Sequence, residues 1–456
     1  MTETAGRSGA ELAARYLDTR RTTERLVAPL SAEDMMVQSM SDASPAKWHL
    51  AHTSWFFETF LLTPHLPAYQ PLEPQYCFLF NSYYKQVGLH PNRALRGAFS
   101  RPSLEQVRRY REHVDAAMLR LLQSTANPEL LLLTELGINH EQQHQELIVT
   151  DIKHALWSNP LRPAYVEGVA RVVDPGAPAG DPRHTNCLGG SPTLVSPGEA
   201  CPEAERGGET GWEIFAGGEY EIGHAGGEFA FDNESPRHRV RLEPFRLGTR
   251  LATNREYLEF MDDGGYRRPE WWLSDGWDQV CAAGWQAPLY WEQQDNVWLA
   301  FTSAGMRPVA PDEPVCHVSY YEADAFARWA GARLPREQEW EMAAESSVSG
   351  RQPSGKPNLL EAGRFHPTPA PPASGLQQMF GDVWEWTSSP YIAYPGYRPA
   401  AGALGEYNGK FMCNQMVLRG GSCATPAPHI RASYRNFFPP HARWQFMGIR
   451  LANDCS

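Results

Sequence analysis

The sequence predicts a multi-domain protein, with an N-terminal all-α four-helix bundle followed by an irregular α+β domain. Three observations predict it. Helical periodicity with good N-caps fills the first third of the chain. Pro and Gly then crowd residues 174–204, which carry few long apolar side chains and read as a linker. Beyond Trp212, short strand-like runs alternate with Gly, Pro and Asn. The expected boundaries are 1–165 for the bundle, 166–211 for the linker and 212–456 for the second domain. A chain of 456 residues is long enough for two or three cores.

Taken in order, Leu12, Tyr16 and Leu26 mark a polar, Arg-rich first helix, and Ser31 with Asp34 has the look of a capping box. Ser44-Pro45 opens a second helix over 45–61. Ser103 and Gln106 cap a third, with Val107, Tyr110 and Val114 at helical spacing. Asn127-Pro128 starts the fourth and longest, because Asn caps and Pro suits the first turn; it can run to Trp157 before Asn159-Pro160 stops it. Four helices with long connections make a bundle. In the second domain, residues 245–247 and 417–419 read as strands, and 254–261 and 320–330 as helices, the latter stopped by Gly331. No internal repeat is visible.

Composition narrows the function. Hydrophobic residues are 42% and charged residues 21%, as in ordinary soluble proteins. A net charge of −12 argues against nucleic-acid binding. No apolar run reaches the length of a membrane span, and residues 1–21 lack a signal core, so no membrane partner and a cytoplasmic location are expected. The 8 cysteines are scattered without a CxxC pair, which indicates neither a disulfide framework nor a zinc ribbon.

The sharpest chemical signal is HEQQH at 140–144. Histidines at i and i+4 share a helical face, with Cβ atoms roughly 5–6 Å apart, so His140 and His144 can reach one metal; satisfied histidines of surface or core are the plain alternative. The same five residues match HExxH, in which Glu141 would be the base of a zinc hydrolase. That reading needs a third ligand: His154 stands roughly 15 Å of helical rise beyond His144, too far, and Glu167 remains possible. Upstream, WHLAHTSWF at 48–56 puts two histidines in an aromatic helix facing the bundle interior, where an unpaired imidazole is costly and a metal satisfies it. His52 is the candidate ligand and His49 the structural one, bonded to a carbonyl or carboxylate. Three neutral imidazoles with open positions suit Fe(II), Zn or Cu.

The N-terminal third resembles the DinB-like bundle of the ergothioneine-biosynthesis sulfoxide synthases, whose HxxxHxE pattern is met by His140, His144 and Glu146 and whose distal histidine in W-x-L-A-H is met by His52. The remainder resembles the formylglycine-generating-enzyme fold, of the C-type-lectin-like kind. The matching pieces are ESPRHRV at 234–240, PVCHVSY at 314–320, AGARLPREQEW at 330–340, GDVWEW at 381–386, RGGS at 419–422 and GIRL at 448–451. What the resemblance implies is an O2-dependent Fe(II) enzyme with His52, His140 and His144 as ligands. It would join hercynine (N-alpha-trimethylhistidine) to a thiol, cysteine or gamma-glutamylcysteine, as a sulfoxide; close variants use a selenium donor or accept histidine itself. Formylglycine formation is disfavoured: Cys423 follows RGGS, but the next cysteine is Cys455 at the chain end. A purely structural or ligand-binding module is the remaining reading.

The resemblance also extends to the walls of the site. Tyr83 and Tyr84 are the candidate proton donors, against simple loop packing. Arg93 and Arg96, three apart, can clamp one carboxylate, and the resemblance assigns the thiol substrate's carboxylate to them. Gln143 borders the metal face and is placed to bond substrate. Asn436, Phe437 and Phe438 correspond to the loop that contacts the betaine, where aromatic faces attract a trimethylammonium group. Phe438 stands where the branch using gamma-glutamylcysteine has an acidic residue, which favours free cysteine here. Glu146 turns away from His144 and has no assigned role at this level.

Overall fold

The computed structural model describes residues 8–165, 211–350 and 356–455; most of the expected linker, including 174–204, and Glu167 lie outside them. The bundle is built from four long helices that start where their caps demand. α1 (Gly9–Val27) opens on a capping box between Ser8 and Glu11. α2 (Ala46–Phe57) follows Pro45 and runs on as a π-turn, Glu58–Leu62. Two short pieces, α3 (Thr63–His65) and α4 (Tyr76–Leu79), lie in the connection. α5 (Leu104–Ser124) has the Ser103–Gln106 box, and α6 (Pro128–Ser158) is capped by Asn127. The Ser31–Asp34 bonds form reciprocally, but they open only a single 3-10 turn, Asp34–Met36. α6 packs on α1 and α2, and α5 on the same two helices. Gly137, in the middle of α6, admits the Phe57 ring: a Cβ there would meet it at 2.4 Å.

The second domain has short strands: β1 (Trp212–Phe215), β2 (Gly218–Ile222), β3 (His238–Leu242), β4 (Phe245–Gly248), β5 (Trp291–Gln294), β6 (Val297–Thr302), β7 (Gly305–Pro308), β8 (Trp384–Pro390), β9 (Met416–Arg419), β10 (Asn436–Phe438), β11 (Met447–Gly448) and β12 (Ala452–Asp454). The sheet that faces the bundle has the order β10-β9-β8-β11. Its β9–β8 and β9–β10 pairs are antiparallel, with Leu418 opposite both Trp386 and Asn436. Among the described residues four α-helices accompany the strands: α7 (Asn254–Asp262), α8 (Ser274–Ala283), α9 (Tyr320–Trp329) and α10 (Glu337–Gly350). α7 and α9 match the expected helices; α8 and α10 were not anticipated.

The reason α10 escaped notice is chemical. Its buried face carries Glu337 and Glu341. Arg419 bonds Glu341 at 2.7 Å and Glu337 at 3.2 Å, while Arg435 clamps Glu337 with two bonds of 2.9 and 3.0 Å. Arg450 clamps Glu385 of β8 in the same way. These charge-assisted pairs, bidentate for Arg435 and Arg450, allow charge where a pattern of apolar residues would be expected.

α6 joins the two domains through a polar stripe. Asn139, Gln143, Glu146, Thr150 and Lys153 recur every three or four residues, hence along one face. His429 bonds Asn139 at 3.0 Å, and Gln143 donates to the Tyr434 hydroxyl at 2.8 Å. Glu146 accepts from Trp384 Nε1, Ser422 Oγ and Thr425 Oγ1. Gln445 donates to Thr150 at 3.1 Å, and Lys153 Nζ lies 2.6 Å from His317 Nε2. Glu146 thus points away from the histidine face, as its helical angle required, and it ties the bundle to β8 and the loop after β9.

Replacing Glu146 by Ala orphans three buried donors. At about 1–3 kcal/mol for each unsatisfied group, with Ser422 and Thr425 able to bond each other, a loss of about 3 kcal/mol is expected. The midpoint of urea unfolding reads it. Burial pushes the Lys153 ammonium down to about 8. Between that pH and about 10 the unfolded chain holds a proton that the folded chain has lost, so stability rises with pH through this window. Lys153→Met is expected to flatten that rise, which denaturation at a series of pH values measures.

Candidate metal centre

Three buried histidines from two helices converge on one point. The ligand-capable atoms of His52, His140 and His144 all lie within 4.8 Å of one another. His140 and His144 are one helical turn apart on α6, and α2 brings His52 against them. The ring centroids of His52 and His140 are 5.1 Å apart, of His52 and His144 4.8 Å, and of His140 and His144 4.6 Å. Burial pushes all three imidazolium forms down, to about 3 for His140, and the rings press on one another's charge; the set is therefore neutral.

The surroundings orient these rings. His52 is sandwiched between Trp48 at 4.5 Å and Trp55 at 5.3 Å, both nearly parallel to it. Its Nδ1 bonds the Phe80 carbonyl at 2.7 Å, so Nδ1 carries the proton and Nε2 is left for a metal. His144 Nδ1 is 2.7 Å from His49 Nδ1. His140 Nδ1 is buried without a hydrogen-bond partner. Neutral nitrogens held this way, one of them orphaned, fit a divalent ion with open positions.

Glu141 stands apart from the centre. It accepts from Arg20 at 2.8 Å, Arg111 at 3.2 Å and Thr23 at 2.7 Å, on the side of α6 that meets α1 and α5. Burial alone raises its carboxyl, but the two guanidiniums overcome this and hold it down at about 2. A carboxylate so engaged is not the base of an HExxH hydrolase, which overturns the zinc-hydrolase alternative. His154 bonds Ser39 at 2.7 Å, away from the three histidines.

The expected walls fall into three groups. Tyr84 is fully buried, its ring 5.5 Å from Trp55, and Tyr83 stacks on it at 4.5 Å with the hydroxyls 3.4 Å apart. Burial raises both phenols, that of Tyr83 to about 12, so both hold their protons at neutral pH. A strap of the second domain fixes this loop: Glu406 accepts from the backbone N–H groups of Lys85 and Gln86, and Lys410 donates to the Tyr83 carbonyl at 2.7 Å.

Arg93 and Arg96 sit on one 3-10 helix, Arg93–Ala98. Arg96 is buried over the Trp48 ring at 3.5 Å and donates to Ser44 Oγ, while Arg93 reaches the Asp42 carbonyl. Burial and the neighbouring Arg93 push the Arg96 guanidinium down to about 9, a repulsion that a bound anion would relieve. Gln143 lies between domains, donating to Tyr434 and accepting from Tyr407. Asn436, Phe437 and Phe438 form β10. Phe437 stacks on Tyr391 at 4.0 Å, and Phe411 links it to Tyr83 through contacts of 5.9 and 5.1 Å; Phe438 meets Trp444 edge-on. Asn436 Oδ1 accepts from the Phe437 N–H.

Sequence reasoning missed Tyr407, whose ring is 5.8 Å from His140 and whose hydroxyl bonds Gln143. It lies in a loop without periodicity, and no local signal marks it. Sequence reasoning also missed Tyr434 and His429, which bond each other at 3.1 Å.

Two family models match the chain: DinB superfamily over residues 15–148, and sulfatase-modifying factor enzyme 1-like domain over residues 200–455. Hercynine oxygenase of Mycolicibacterium thermoresistibile is 35% identical over 100% of this chain and 97% of that protein. Hercynine oxygenase of Mycolicibacterium smegmatis is 42% identical over 49% of this chain and 56% of its own length. The formylglycine-generating enzyme of Streptomyces coelicolor is 28% identical over 58% of this chain and 96% of its own. Among the described residues no helix is long and apolar enough to cross a membrane.

Removing Glu141 would leave Arg20 and Arg111 buried with an unbalanced charge. Glu141→Ala is expected to cost about 3–5 kcal/mol of stability, the range for a broken buried ion pair. Chemical denaturation reads the loss, and a change under 1 kcal/mol would refute the structural role given to this residue.

Proposed function

This chain belongs to the hercynine oxygenase family, and from that premise we propose that it is a sulfoxide synthase joining hercynine to cysteine at the expense of O2. The observation that carries the reading is the convergence of three buried, neutral imidazoles beneath a second domain, in a chain related to a hercynine oxygenase over its full length. The overall change is balanced: a C–H and an S–H bond are lost, a C–S bond and an S=O bond form, and the second oxygen atom leaves as water. Fe(II) held by His52, His140 and His144 supplies the four-electron O2 chemistry and favours the thiolate form of the sulfur donor.

The protein's own groups then have separate tasks. Arg93 and Arg96 take the carboxylate of the thiol substrate, and their mutual repulsion is what the carboxylate offsets. Gln143, held at both ends by Tyr407 and Tyr434, presents a fixed amide to hercynine. The aromatic groups of β10 and Tyr407 offer faces to the trimethylammonium group. Tyr83 and Tyr84, protonated at neutral pH, hold the proton that the oxygen-derived product requires. The described cysteines include six free thiols, which supports a reducing, cytoplasmic setting.

The test is turnover by protein purified anaerobically, stripped of metal and restored with Fe(II) or Zn(II). Given hercynine, cysteine and O2, mass spectrometry is expected to find the coupled sulfoxide with iron and none with zinc. Gamma-glutamylcysteine is expected to be the poorer donor. Tyr83→Phe or Tyr84→Phe is expected to lower turnover about 10²–10⁴-fold, the size of a lost proton donor. No product with either thiol would sink the assignment.

A further inference from the structure

Asp151 lies seven residues beyond His144, two turns along the same face of α6 and roughly 10 Å of rise away. That is too far for the carboxylate to touch the imidazole. His49 fills the gap from α2: its Nε2 is 3.1 Å from Asp151 Oδ2, and its Nδ1 is 2.7 Å from His144 Nδ1. All three residues are buried. Asp151 Oδ2 also accepts from the Ser44 N–H at 2.8 Å, at the start of α2, so the carboxylate is anchored to the helix that carries both His49 and His52.

The order of protons along this chain follows from the chemistry of its ends. A carboxylate only accepts, so His49 Nε2 must carry a proton. In a neutral imidazole the other nitrogen is then a lone-pair acceptor, so His49 Nδ1 must receive. The proton in the 2.7 Å contact therefore belongs to His144 Nδ1, which leaves His144 Nε2 bare. We propose that Asp151 and His49 form a two-residue relay that fixes the tautomer and orientation of His144, making His49 and Asp151 positioning residues for the metal.

The inference rests on the metal centre proposed above, and it assigns His49 a role that its buried, aromatic surroundings did not reveal. It also separates the three histidines. His52 is fixed by a backbone carbonyl and His144 by a side-chain relay, whereas His140 has no partner at Nδ1. Side-chain substitution can therefore loosen one ligand alone.

Two measurements test this. The first is nitrogen NMR on the metal-free protein labelled at histidine, which reads which ring nitrogen holds each proton. His144 is expected as the Nδ1–H form and His49 as the Nε2–H form, and His144 as the Nε2–H form overturns the relay. The second is Fe(II) affinity under anaerobic conditions, by competition with a coloured chelator. His49→Leu is expected to weaken binding about 10–100-fold, as lost outer-shell partners do. His49→Gln keeps an acceptor toward His144 and a donor toward Asp151, so it is expected to stay within about threefold of the unaltered protein. A Leu variant that binds as tightly as the unaltered protein, or a Gln variant as weak as Leu, overturns the proposal. Should the unaltered protein take no Fe(II), the metal-centre reading falls, and the NMR arm alone decides the relay.

Discussion

The rest of the structure depends on finding partners for the polar residues of α6 while the middle of that helix is buried on nearly all sides. A helix buried all round is ordinarily apolar all round. α6 instead carries His140, His144 and Asp151 toward α2, Glu141 and Gln145 toward α1, and Asn139, Gln143, Glu146, Thr150 and Lys153 toward the second domain. Each buried polar group must find a partner or cost about 1–3 kcal/mol, so the three neighbours of α6 are chosen by hydrogen bonding as much as by shape. The histidine face is one of three such contracts, and its histidines cannot shift without disturbing the other two.

The same logic explains what was legible in the sequence. The i, i+4 pair His140–His144 and the WHLAH segment are local, so the spacing alone places the imidazoles on defined faces, and the structure brings all three together. Two helix starts were legible for the same reason: Ser103 and Asn127 cap residues only two or three positions away. The Pro- and Gly-rich run at 174–204 that reads as a linker lies outside the described residues. What stayed hidden depends on partners far apart in the chain. Glu146 looked idle because Ser422 and Thr425 lie more than 270 residues away. α10 looked unlike a buried helix because the arginines that neutralise Glu337 and Glu341 come from strands and loops nearly 80 residues or more later. Binary patterning assumes that buried means apolar, and here it fails wherever a guanidinium supplies the missing charge.

That arginine framework has a structural consequence for the site. The strands facing the bundle are short, only two to seven residues, and short strands are weak determinants of position by themselves. Arg419, Arg435 and Arg450 pin β8, β9 and the segment before β10 to α10 and to one another through carboxylates. Buried ion pairs of this kind contribute little net stability, because desolvation offsets attraction, but their geometry is directional. They hold Trp384, Ser422 and Tyr434 at fixed points, so the Glu146 carboxylate and the Gln143 amide each meet a rigid surface.

The division of work between the domains follows. The three candidate metal ligands need only the bundle, since α2 and α6 supply them all. The residues proposed to meet substrate sit across the boundary: Gln143 belongs to the bundle yet is oriented by Tyr407 and Tyr434 of the second domain. The tyrosine loop likewise belongs to the bundle yet is capped by Glu406 and Lys410. A site assembled this way is complete only when both domains are folded and docked. Under the function proposed above, oxygen chemistry on an exposed metal would invite water and stray oxidation, and a geometry that brings Tyr407 beside His140 only where the domains meet would tie that chemistry to the docked interface.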